Sequence, residues 1–102
     1  MIDMEKNVIN LKFDKIITNL SGNRLGVIVY NEQVKDKFIN NKENEVIFPE
    51  QIEDIASSFI QGLYSEISEK YGKIEAQNLM ILKAKNKEAE EKIDECIKTY
   101  GV

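Results

Sequence analysis

With 102 residues, 42% of them hydrophobic, the chain has material for one domain with a modest core. Its net charge of −4 and the scatter of its 13 lysines and single arginine, Arg24, deny it the concentrated positive face that nucleic-acid binding needs. With no histidine and one cysteine, Cys96, an intrachain disulfide, a Cys/His zinc site and histidine-based acid–base catalysis are excluded.

The N-terminal stretch MIDMEKNVIN has neither the basic start nor the apolar run of a signal peptide, and no segment reaches membrane-spanning length. A cytoplasmic protein without membrane contact is expected. No internal repeat or linker stands out. In NVINLKFDKIITNL the alternation of Ile9, Leu11 and Phe13 suits a half-buried strand, with a bend or bulge at Asp14 and Lys15. SGNRLG reads as a turn. In LGVIVYNEQVKDKFINN the run Val27 to Tyr30 favours a strand by propensity, whereas Val27, Tyr30, Val34 and Phe38 fall at helical spacing. The helical reading runs to about Ile39, with residues 25–31 open to either structure.

EVIF, ended by Pro49, is a buried strand. PEQIEDIAS follows as a loop or single turn with Ile52 and Ile55 turned inward. From Ser58 to Tyr71 the spacing predicts a helix whose apolar face is Phe59, Ile60, Leu63, Ile67 and Tyr71, and Gly72 stands where a left-handed cap would end it. NLMILK is the next buried strand. NKEAEEKIDECIKTYGV is a last amphipathic helix, with Ala89, Ile93, Cys96, Ile97 and Tyr100 on its inner face and Gly101 at its end. The order is (β)βαβαβα: one α/β domain over 1–102, a mixed sheet with helices packed against it. Helices between strands require pairing that is at least partly parallel, with right-handed crossovers.

The junction ASSFIQG, residues 56–62, concentrates the functional questions. Ser57 or Ser58 can cap the following helix by accepting a hydrogen bond from a first-turn N–H. The same place, with its free N–H groups and positive dipole end, suits a phosphorylation switch. Arg24, the one guanidinium, can make a planar contact to a carboxylate or phosphate, or an internal ion pair. The SGNRLG stretch could cradle a phosphate but lacks the P-loop lysine and the glycine spacing of a dinucleotide site. Glu50, Glu53 and Asp54 form a solvated acidic rim without calcium-loop spacing. Cys96 reads as a buried structural thiol. No catalytic set, metal site or cofactor is expected.

The stretch NEVIFPEQIEDIASSFIQGLYSEISEKYG resembles the middle of a STAS domain, and more closely the bacterial STAS-like domain of unknown function. The resemblance runs from about Arg24 to the C-terminus. It rests on an apolar strand, a short loop with two isoleucines, and a Ser-Ser pair opening an amphipathic helix, with Arg24 and Ser58-Phe59 at the family's arginine and Ser-Phe positions. It implies a non-enzymatic regulatory module that binds a protein partner, a histidine-kinase-like ATPase in the anti-sigma factor antagonists. It also implies that the phosphoacceptor position falls on Ser57. Ala56 stands where the family has an aspartate, and Gln61-Gly62 where it often has an acidic pair. The expected docking residues are Ser57, Ser58, Gln61 and Arg24, with a homo-oligomer left open. Two rival readings are a stoichiometric inhibitor or accessory protein of a mobile element or defence system, and a nucleotide- or small-ligand-binding domain using SGNRLG and Arg24.

Overall fold

In a computed structural model of the chain, residues 6–100 are described. The expectations placed on residues 1–5, on Gly101 and on the side chain of Tyr100 lie outside them. The elements are β1 (Asn7–Asn10), β2 (Asn19–Leu20), α1 (Asn23–Val29), β3 (Asn44–Phe48), β4 (Asp54–Ile55), α2 (Ser57–Tyr71), α3 (Lys73–Leu79), β5 (Met80–Ala84) and α4 (Lys87–Tyr100). A π-turn, Tyr30–Val34, extends α1.

β3 lies between β1 and β5, and both ladders are parallel. The register sets Ile9 beside Val46 and Val46 beside Leu82. A second, two-residue parallel pair joins β2 to β4, with Leu20 beside Ile55. The expected α/β domain with helices packed on a sheet is what forms, and the mixed sheet resolves into ladders that are all parallel among the described residues.

One face of the sheet carries the core. Ile9, Val46, Phe48, Met80 and Leu82 are buried there. The Phe48 ring meets Phe59 of α2 edge-on at 6.1 Å between centroids, and the Tyr64 hydroxyl donates to the Met80 carbonyl at 2.5 Å. From α4, Ala89, Ile93 and Cys96 close the same core, as the helical spacing predicts. Ile52 and Ile55 are turned fully inward, also as expected. On the opposite face Val8, Asn10 and Lys83 are exposed, and Glu45, Ile47 and Ile81 are half-exposed. No helix among the described residues is long and apolar enough to cross a membrane.

Several boundaries move. The strand expected through Phe13 stops at Asn10, although Leu11 remains buried. At Asp14 the expected bend is a turn: the Ile17 N–H donates to the Asp14 carbonyl at 2.9 Å, and the Ile16 N–H to its side chain at 3.2 Å. Of SGNRLG only Ser21 and Gly22 lie outside helix, because α1 already starts at Asn23 and places Arg24 on its first turn. The ambiguous segment is helical, yet it widens at Tyr30, where the Lys35 N–H reaches back five residues to the Tyr30 carbonyl at 2.8 Å. Helical structure therefore ends well before Ile39. Gly72 does end α2, but at φ 90 and ψ 159, outside the left-handed helical region, and it opens α3 directly.

Candidate functional site

α1 and α2 are brought together at their N-terminal ends, and the contact is made by backbone. A Cβ added at Gly62 would strike the Asn23 carbonyl, and one added at Gly26 would strike the Phe59 carbonyl and lie 2.7 Å from the Leu63 nitrogen. Such an approach is open only to glycine on both sides. A hydrogen bond locks the same corner: the Gly22 N–H, just before α1, donates to the Ser58 hydroxyl oxygen at 3.0 Å.

This bond corrects the capping expectation. Neither Ser57 nor Ser58 caps α2. The capping position belongs to Ala56, which offers no side-chain acceptor, and its carbonyl receives the N–H groups of Phe59 at 3.1 Å and Ile60 at 3.3 Å. Ser58 instead spends its acceptor on the neighbouring segment. Ser57 and Ser58 are both half-buried, whereas Gln61 and Arg24 are exposed. Ser57, Gln61 and Arg24 have no side-chain partner among the described residues, so Arg24 makes no internal ion pair there. Two apolar side chains of α1, Leu25 and Ile28, are also exposed. The four residues expected at the site thus sit on two helix starts held side by side.

Sequence reasoning missed the groove running on from this corner between the two helices. One wall is Val27, Tyr30 and Asn31; the other is Ser65, Glu66 and Glu69 beyond Gly62, around a volume of about 480 Å³. Tyr30 is 4% exposed, and burial, then the carboxylate of Glu66 and the nearby Tyr71, push its phenol up to about 12. The Tyr30 hydroxyl has no partner among the described residues, yet it is not among the fully enclosed polar atoms. It therefore keeps contact with solvent, on a residue that lines the groove. The Ser65 hydroxyl donates to the Gly62 carbonyl at 2.9 Å, and Lys35 reaches Glu66 at 3.4 Å. The signal available in the sequence was the i, i+3, i+4 series Gly62, Ser65, Glu66, Glu69, a stripe of small and polar residues along one side of an amphipathic helix.

The acidic rim behaves as a solvated face: Glu50, Glu53 and Asp54 are exposed, with Lys92 3.7 Å from Asp54. Among the described residues no three acidic or sulfur-bearing side chains converge as a metal site. Cys96 is buried on α4, and burial, followed by Glu95, raises its thiol above the ordinary range. No family model, curated protein or solved structure matches this chain.

Proposed function

We propose that the protein is a non-enzymatic regulatory module that docks a protein partner at the paired starts of α1 and α2. The observation that carries this reading is the composition of that corner. It presents an exposed guanidinium, Arg24, an exposed amide, Gln61, and the Ser57 hydroxyl, all without partners among the described residues, on a backbone fixed by the Gly26–Gly62 crossing. Leu25 and Ile28 add apolar area of the kind found in interface centres. The resemblance to the STAS-like domain points to the same corner and suggests an ATPase of the histidine-kinase-like fold as the partner, with Ser57 as the modified residue. A phosphate on Ser57 would meet the free N–H groups and positive end of the 15-residue α2.

The test is site-specific photo-crosslinking from Gln61 and from Arg24 in an extract of the native cell, with the exposed α4 position Glu91 as control. The reading expects one common protein captured from both positions, competed by unlabelled protein and not by its Arg24→Glu variant. Intact-mass measurement after incubation with ATP should show phosphate on the native chain and none on Ser57→Ala if the corner is switched. Equal capture from Glu91, or none from Arg24 and Gln61, would overturn the docking surface.

A further inference from the structure

We propose that the groove between α1 and α2 binds a small organic cation, a guanidinium or primary ammonium with a hydrogen-bond acceptor beside it. This does not depend on whether a protein docks at the helix starts. The first observation is the Tyr30 hydroxyl. The residue is 4% exposed, its hydroxyl has no partner among the described residues, and it lines an open groove of about 480 Å³. The hydroxyl itself keeps solvent contact, so its hydrogen-bonding capacity is open to a ligand. It sits at the head of the π-turn, where the helix widens, a distortion frequent at functional sites.

The second observation is the charge inventory across the groove. Glu69 has no ion-pair partner among the described residues, and Glu66 is held at 3.4 Å by the exposed Lys35, a pair weak enough to exchange. The remaining charge is Lys70, whose ammonium lies 5.7 Å from the centre of the Tyr71 ring. The lining itself holds two carboxylates and one ammonium, with Lys35 offsetting Glu66 from outside it, and in a chain of net charge −4 an anion is disfavoured. An apolar ligand would desolvate both carboxylates and the phenol without replacing their hydrogen bonds. A cation with an adjacent acceptor serves Glu66, Glu69 and Tyr30 together, at the cost of the exposed Lys35 pair: its N–H donors reach the two carboxylates, its acceptor takes the Tyr30 O–H, and Asn31 can serve either end.

The experiment is an NMR titration of the isotope-labelled chain at roughly physiological salt, so that loose surface attraction is screened. The probes are argininamide and its neutral isostere citrullinamide. The expected result is saturable shifts centred on the amides of Asn31, Gly62, Ser65 and Glu69, with argininamide binding about tenfold tighter than citrullinamide. Glu69→Gln should weaken argininamide about tenfold, and Tyr30→Phe, which keeps the buried ring, several-fold. Equal binding of the two probes, no saturable shift, or an affinity untouched by Glu69→Gln would overturn the proposal. Because residue 69 is exposed, that variant folds whether or not Tyr30→Phe does.

Discussion

Asn44 is the buried polar side chain of the core among the described residues, and it organises one end of the sheet. Its carbonyl accepts the Ile39 N–H at 2.8 Å and the Asn7 side-chain amide at 2.7 Å; its own amide donates to the carbonyls of Ile39, Lys42 and Leu79 at 2.9, 2.9 and 3.0 Å. One side chain thus closes the loop after the π-turn and ties β1 to the start of β5. Asn44→Ala strands several buried backbone groups and should lower stability by about 3 kcal/mol in urea unfolding. Asn44→Asp keeps the shape but converts a donor into an acceptor facing three carbonyls, so it should be no milder. In sequence Asn44 is merely the polar residue before EVIF; its partners lie up to 37 residues away, so the network was not legible there. Tyr30 supplies a second prediction. Its folded-state value of about 12 lies above the ordinary 10, so the folded state holds the proton more tightly. That stability is complete below pH 10 and is lost as pH rises toward 12, on the order of 2 kcal/mol. Tyr64, raised by burial, acts with the same sign. The urea midpoint of the native chain should fall across this window, and Tyr30→Phe should flatten part of the fall; an unchanged slope would mean that burial of Tyr30 is not what the alkaline limb reports.

For the elements, the deciding contact is the Gly26–Gly62 crossing of α1 and α2. Alanine at either site gains up to about 1 kcal/mol of helix propensity. Against that, its Cβ meets backbone: the Asn23 carbonyl for Gly62, the Phe59 carbonyl and Leu63 nitrogen for Gly26. Backbone cannot swing aside as a flexible side chain can, so the helices must part, and overpacking of this kind costs about 3 kcal/mol. Gly62→Ala and Gly26→Ala are therefore both expected to destabilise in chemical denaturation, while Gln61→Ala, exposed on the same helix, stays within about 0.5 kcal/mol of the native chain. The sequence displayed Gly62 within an apolar helical pattern but not its reason, which lies on another helix. What was legible were elements with strong periodicity: α2 and α4 are found nearly where spacing put them, and β3 within two residues. α3 was not, since it buries only Ala76 and leaves Ile74 80% exposed, so it carries no apolar stripe to find. The capping role of Ser57 and Ser58 failed for a related reason: Ser58 had a tertiary partner, Gly22, that no local rule could supply.

At the scale of the whole molecule, two strand–strand–helix units lie side by side, β1–β2–α1 against β3–β4–α2, and β5 with α4 completes the sheet. The pairing is nearly constant in offset: Asn7 meets Asn44 across 37 residues and Gly22 meets Ser58 across 36. Stability is unequal along this frame. β3 is paired on both sides and buries Val46 and Phe48 completely, while the β2–β4 ladder is two residues long. That short ladder and the Gly22–Ser58 bond join the Gly26–Gly62 crossing in holding the candidate docking corner shut. Native-state hydrogen exchange should therefore separate two openings. The amides of Val46 and Phe48 should exchange only by global unfolding, insensitive to low denaturant. The Gly22 amide and the Ala56 amide, which donates to the Leu20 carbonyl at 2.9 Å, should exchange through a smaller local opening. Ser58→Ala, which removes one acceptor, should speed exchange at Gly22 and Ala56 by about fivefold, in line with a loss of about 1 kcal/mol, and hasten exchange in β3 by no more than that. If all these amides instead report one common free energy, the corner opens only with the whole molecule, and a partner would have to read it in its closed form.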